Sequence, residues 1–335
     1  MSREWNGYRL VIKDIDANLI NLDGLKLQME KKVLGDSQLS TTRIGKSAVE
    51  QPTIKKENDS VSLEDLLAEL NTLTGLDSVK AEVTELINFL KVQKLRKAKG
   101  MMAAPISLHV VFYGNPGTGK TSVARLLSKI YKALGFLSAG HLVETDRSGL
   151  VAGYVGQTAL KVIQVTESAL GGVLFIDEAY SLTSNSGNDY GREAVDTLIK
   201  QMEDNRDNLA IIVAGYTDKM EAFLSSNPGL KSRFNRYWKF EDYTPQQLVA
   251  IFESFSMNSG FRITEQCKAK LEALFKGAYV NRDKTFGNAR FARNVFESAI
   301  SNQASRIVGL TNISVDILAT IEADDIPDQI STDIS

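Results

Sequence analysis

A chain of 335 residues has room for about two domains, and its 43% hydrophobic and 24% charged content suits a globular protein with a sizeable core. A formal net charge of −2 supplies no global field that would hold it on nucleic acid or an anionic membrane. No apolar run approaches the ~20 residues of a bilayer span, the start Met1-Ser2-Arg3-Glu4-Trp5 lacks a signal-peptide core, and the single cysteine, Cys267, excludes a disulfide or a cysteine metal cluster. A cytoplasmic protein without membrane insertion is the expectation.

Residues 1–35 read as an N-terminal extension too small for its own core. Residues 8–13 are β-rich and able to pair with 17–22, and 29–33 look helical. Residues 36–60 are polar and aperiodic, which predicts a flexible linker. Ser62 is a plausible N-cap for a helix over 63–70. A second helix follows Gly75, with Val79, Val83, Leu86 and Leu90 on one face and a basic end that the helix dipole favours. Five apolar strands are then expected at 108–112, 142–145, 173–176, 209–214 and 237–240, separated by helices at 121–134, 158–170 and 192–203. Strands alternating with helices imply an α/β domain, 61–240, with a five-stranded parallel sheet covered on both faces. Beyond it the strands stop. Thr244-Pro245-Gln246-Gln247 is a capping box, Thr264 caps another helix, and a third runs from about Asn288 to Val308, so 241–310 reads as a small all-helical domain. The remaining 311–335 reads as an acidic tail, frayed from Glu322 onward. His109 and His141, each at a strand start, and Cys267, among helical apolar positions, read as structural.

Between the first strand and its helix lies Gly114-Asn115-Pro116-Gly117-Thr118-Gly119-Lys120-Thr121, followed by Ser122, which fits G-x-x-x-x-G-K-[ST]. Glycines there let backbone N–H groups turn toward phosphate oxygens, and the helix N-terminus adds its positive end. Lys120 would reach the β- and γ-phosphates of ATP and the Thr121 hydroxyl would ligate Mg²⁺. The strand 173–176 ends in Asp177-Glu178, which places one acid for hydrated Mg²⁺ and the next for the attacking water. Arg233 and Arg236, just before the last strand, either pair with surface acids or complete a neighbouring subunit's site in trans. Arg290, at a helix start in the small domain, is placed to report the state of the nucleotide. Tyr154-Val155-Gly156, in a glycine-bracketed loop, is either a packed turn or a grip for an extended polypeptide.

In joint order these motifs resemble the AAA+ ATPases. The similar group contains the red-type Rubisco activase (CbbX), the stage V sporulation protein K and the ATPase of mycobacterial type VII secretion, and the likeness covers roughly 61–310. The resemblance implies that Lys120 and Thr121 belong to Walker A, Asp177 and Glu178 to Walker B, and Arg233 to an arginine finger, with Arg236 a candidate second. It further implies Arg290 as sensor 2, the helical domain as a lid, and Tyr154 as the aromatic of a central pore loop. Tyr216 stands where many relatives carry a water-orienting asparagine, so Thr217 or Asp218 shares that duty as an alternative. The implied function is a homo-oligomeric, hexameric ATP-driven motor that remodels an unidentified protein client. A slow nucleotide-dependent assembly switch is one alternative. A DNA-acting motor is another, disfavoured by near-neutral charge and by the short acidic stretch after the lid.

Overall fold

The computed structural model describes residues 61–102, 104, 106–154, 156–183 and 190–328, together with two short strands near the N-terminus. Those two, Glu4–Trp5 and Tyr8–Arg9, form an antiparallel pair in a compact unit of their own, Met1–Asn58. The expected partner at 17–22, the helix at 29–33 and the linker at 36–60 lie outside the described residues.

The main unit is built on five parallel strands: β1 (Val110–Gly114), β2 (Leu142–Thr145), β3 (Val173–Ile176), β4 (Ala210–Gly215) and β5 (Tyr237–Phe240). Their order across the sheet is β2-β3-β4-β1-β5. The central strands are apolar throughout because both faces are covered, and successive residues feed different cores. Val110 and Phe112 pack with helices α2 (Asp77–Ala98) and α3 (Lys120–Ala133), whereas Val111, between them, packs with α5 (Gln157–Ser168) and α6 (Tyr190–Asp204). A short helix, α4 (Arg147–Leu150), precedes α5.

Local sequence explains the element ends. Helix α1 (Leu63–Thr72) starts at Ser62, whose hydroxyl accepts from Asp65 N while the Asp65 carboxylate accepts from Ser62 N. Strand β1 begins two residues later than its apolar run, and its last residue, Gly114, lies in register with Phe240. A Cβ on Gly114 would sit 2.2 Å from the Phe240 carbonyl oxygen, so only glycine can carry the strand into the loop at that spacing. Two helices that the sequence pattern did not suggest, α7 (Thr217–Ser225) and α8 (Pro228–Arg233), fill the crossover from β4 to β5.

The lid comprises α9 (Pro245–Asn258), α10 (Glu265–Val280) and α11 (Ala289–Ile307), packed around Phe252, Phe275 and Phe291. Cys267 is buried there as a core residue, as expected. Two expectations need correcting. The lid is not all helical: β6 (Arg262–Ile263) pairs in parallel with β7 (Thr320–Ile321) after a short α12 (Val315–Ala319). Nor is 322–328 a frayed tail. Asp325 is 1% exposed and takes a two-pronged contact from Arg306, at 2.8 and 2.9 Å, while Ile321 and Ile326 are buried in the lid core. Glu322 and Asp325 are ligands of one arginine rather than solvated charges.

Candidate functional site

A cavity opens where the C-terminal ends of β1, β3 and β4 meet the start of α11, the usual ligand position for a sheet of this kind. The phosphate loop forms its floor. Gly117 and Gly119 have φ of +70° and +91°, a region that side-chain-bearing residues avoid, and this turns the loop around the N-terminus of α3. Lys120 Nζ donates to the carbonyls of Gly114 and Asn115, at 3.0 and 2.7 Å. Burial lowers its pKa to about 8, against the opposing pull of Asp177. A partly desolvated ammonium held at the mouth of a glycine loop is poised for a polyanion.

The chain brings most of the expected residues to this cavity. Gly114, Pro116, Gly117, Gly119, Lys120 and Thr121 line it, followed by Ser122. Asp177, Glu178 and Tyr216 form the wall opposite, and Arg290 comes in from the lid. Two loop side chains turn away from it. Thr118 is fully buried with its hydroxyl on the Asn115 carbonyl, and the Asn115 amide donates to Asp242. Those two can offer a ligand backbone groups only.

Glu178 follows β3 with φ of +47°, a strained value for a residue with a side chain. Two phenols flank it. Tyr180 and Tyr216 have ring centroids 5.9 Å apart, and Lys219 Nζ sits 4.6 and 5.0 Å above the two rings. Burial, and then the Glu178 carboxylate, push both phenol pKa values up, so each hydroxyl keeps its proton and remains a donor. Asp218, weighed in the sequence for the same wall, is exposed and paired with Lys284 at 3.0 Å.

The arginines before β5 stand elsewhere. Ser107 Oγ donates to the Arg233 carbonyl, and Arg236 Nη1 donates to the Ser107 carbonyl at 3.0 Å. Both therefore lie beside the start of β1, while the phosphate loop leaves its other end. Five residue steps along the strand separate His109 from Gly114, about 16 Å at the usual rise. Arg233 is held lightly: one nitrogen is 3.5 Å from the half-exposed Glu203 carboxylate, another is 3.4 Å from the Gly229 carbonyl, and its buried Nε has no hydrogen-bond partner among the described residues. Arg236 is stacked on Phe89 as well as bonded to Ser107, which leaves it less free than Arg233. Tyr154 is 73% exposed in a loop where added Cβ atoms at Gly153 and Gly156 would meet nothing, so its ring is not packed into the turn. Val155 lies outside the described residues.

Sequence reasoning missed three participants. Arg293 lines the cavity one turn after Arg290, its guanidinium 4.6 Å over the Phe255 ring; the i,i+3 spacing was the available signal. Tyr180 was hidden in an aromatic position after the two acids. Asp242 looked like a loop acid.

Comparison with known proteins fits this geometry. Residues 110–242 match the ATPase family associated with various cellular activities (AAA), and 244–335 match the AAA lid domain. The chain belongs to the AAA ATPase family. It is 36% identical to stage V sporulation protein K of Bacillus subtilis, over 87% of this chain and 91% of that one. To the chloroplastic ribulose bisphosphate carboxylase/oxygenase activase of Cyanidioschyzon merolae it is 40% identical, over 82% and 94%. To the chromosomal protein CbxX of Cupriavidus necator it is 41% identical, over 80% and 85%. Among solved structures, the FIGL-1 AAA domain in complex with ADP superposes with a TM-score of 0.53 at 19% identity, covering 76% of this chain and 80% of that one, which speaks for the fold. As an AAA member this chain is a nucleotide-binding P-loop ATPase that hydrolyses ATP. Among the described residues no helix is long and apolar enough to cross a membrane.

Proposed function

We propose that the chain is a ring-forming ATPase, a hexamer, that remodels a partner protein by engaging a flexible segment of it in a central pore. The observation that carries this reading is the separation of Arg233 from the chain's own phosphate loop along β1. An arginine at that end cannot serve its own nucleotide, but it can serve a neighbour's in a head-to-tail ring. Each site is then complete only at a protomer interface, so hydrolysis requires assembly.

Within one site the roles follow from placement. Backbone N–H groups of 117–121 and Lys120 hold the phosphates, with Arg290 and Arg293 closing on them from the lid. The donor set suits magnesium: Thr121 would bind it directly and Asp177 through water, and the bound ion neutralises and orients the phosphate oxygens. Glu178 takes the proton of the attacking water. Tyr216, rather than Asp218, orients that water together with Tyr180, since Asp218 is committed to Lys284. Arg233 stabilises charge developing on the neighbour's γ-phosphate, and Arg236 supports the same edge without reaching the phosphate. Tyr154, exposed on its glycine-flanked loop, offers the client an aromatic contact. The activase named among the relatives supports a protein client, whose identity fold likeness does not supply.

The test is Glu178→Gln with ATP. Hydrolysis should fall by about 10²-fold or more while binding persists, and mass measurement should find stable rings that retain a client. Adding Tyr154→Ala should weaken that retention. A monomer at saturating ATP would refute the ring, and retention of DNA rather than protein would favour the DNA-acting alternative.

A further inference from the structure

Large domain and lid are joined by a three-residue linker, Glu241-Asp242-Tyr243, between β5 and the N-cap Thr244. The Asp242 side chain, 17% exposed, accepts from Asn115 Nδ2 in the phosphate loop at 2.9 and 3.1 Å, and from Asn288 Nδ2 at the start of α11 at 2.8 Å. It also accepts from Arg282 Nε of the lid at 3.1 Å. A carboxylate only accepts, so these amide orientations are dictated by the network. Asn288 is fully buried at φ 50°, ψ −121°, a backbone state that non-glycine residues rarely hold. Its side chain explains why it stays: Oδ1 accepts from Tyr243 N at 2.8 Å, and Nδ2 also faces the Phe286 and Pro116 carbonyls.

Three consecutive carbonyls of the phosphate loop are held from this side. Pro116 accepts from Asn288 Nδ2 at 3.3 Å, Gly117 from Ala289 N at 3.1 Å, and Thr118 from the Tyr243 hydroxyl at 3.2 Å. Each carbonyl shares a rigid peptide plane with the next residue's N–H. The N–H groups of Gly117, Thr118 and Gly119, which turn toward phosphate, are therefore the opposite edges of planes gripped by lid and linker. An N–H cannot swing onto a phosphate oxygen without pulling on the start of α11 or on the linker.

We propose that Asp242 and Asn288 form a latch that makes the phosphate loop and the lid move as one, with Asp242 a positioning residue for nucleotide binding. The latch rests on nucleotide binding at the loop and is independent of ring assembly or of any pore.

The experiment uses the full chain, ADP and ATP as probes, and Asp242→Asn, which keeps the shape but turns a donor toward donors. In the wild type, ADP should slow hydrogen exchange both in the phosphate loop and at the start of α11. In Asp242→Asn, the ADP dissociation constant and the KM for ATP should rise about tenfold, a typical coupling size. Turnover at saturation should change less than about twofold, and bound ADP should no longer slow exchange at the start of α11. A merely structural residue would lower the melting temperature without splitting KM from kcat. If Asp242→Asn does not fold, Asn115→Ala, which leaves the Asp242–Asn288 pair intact, should give smaller shifts in the same direction. Wild-type ADP affinity, or full ADP-dependent protection of α11, in the folded variant overturns the latch. A wild type that binds no ADP overturns instead the nucleotide reading beneath it.

Discussion

At the Gly114 end of β1, three loop carbonyls, the Asn115 amide and the Lys120 ammonium all find partners within the chain, several of them in the lid. At the His109 end, Arg233 leans on one half-exposed glutamate and leaves a buried nitrogen without a partner among the described residues. One strand thus joins a site finished from within to a charged group whose local partners fall short. An unsatisfied buried polar atom costs stability wherever it occurs, and such atoms are kept where they serve something else. The contrast is what the proposed ring would require of each protomer: a pocket on one edge and a probe on the other.

The largest expected effect tests the unfinished end. Arg233→Ala should lower turnover by about 10³-fold or more, the usual worth of an arginine finger, with ADP affinity nearly unchanged. Mixing it with Lys120→Ala should restore activity at those interfaces where an intact arginine faces an intact loop. Unchanged turnover at saturating protein would break the comparison, because Arg233 would then be an ordinary surface ion pair. A smaller effect tests the finished end. A Cβ at Gly117 would meet the Gly287 carbonyl oxygen at 2.1 Å on a backbone with φ +70°. Gly117→Ala should accordingly cost roughly 1–3 kcal/mol of lid docking, visible as a lower melting temperature and weaker ADP binding.

The last effect, confined to acidic pH and absent at neutral pH, concerns His109, which neighbours Arg233. Its Nδ1 accepts from Ile211 N at 3.0 Å, and burial, aided by the Arg233 charge, lowers its pKa to about 4. The unfolded chain takes up this proton near pH 6.5 and the folded chain only near 4. Stability from the neutral ring is fully present above about 6.5 and is lost as pH falls toward 4, by up to about 3 kcal/mol. Urea unfolding against pH should give that slope, and His109→Asn should flatten it. A wild-type curve without slope between those pH values would show that the ring is not held neutral.

Much of this was legible in the sequence because its signals are local. Strand, glycine loop and helix follow one another directly, and Ser62, Thr244 and Thr264 each announce a helix with a cap three residues from its partner. What escaped reading is held together across long separations. Asp242 gains its meaning from Asn115 and Asn288, both far along the chain, and alone it is one more loop acid. The same holds for Glu322 and Asp325, which look solvated until Arg306 is seen to take them. The short helices α7 and α8 carry too few turns to show periodicity. Arg293 is the instructive exception, since helical spacing from Arg290 pointed to it and nothing distant was required.

The closing of the lid on its own C-terminal segment has a mechanical consequence. Arg306 clasps Glu322 and Asp325, Gln303 donates to the carbonyls of 317, 318 and 320, and β7 zips onto β6. A bundle of three helices could shear internally and absorb a push at its α11 end as heat. Braced at the far end, this one should move as a unit, so that motion of the phosphate loop would be passed to the surface farthest from the nucleotide.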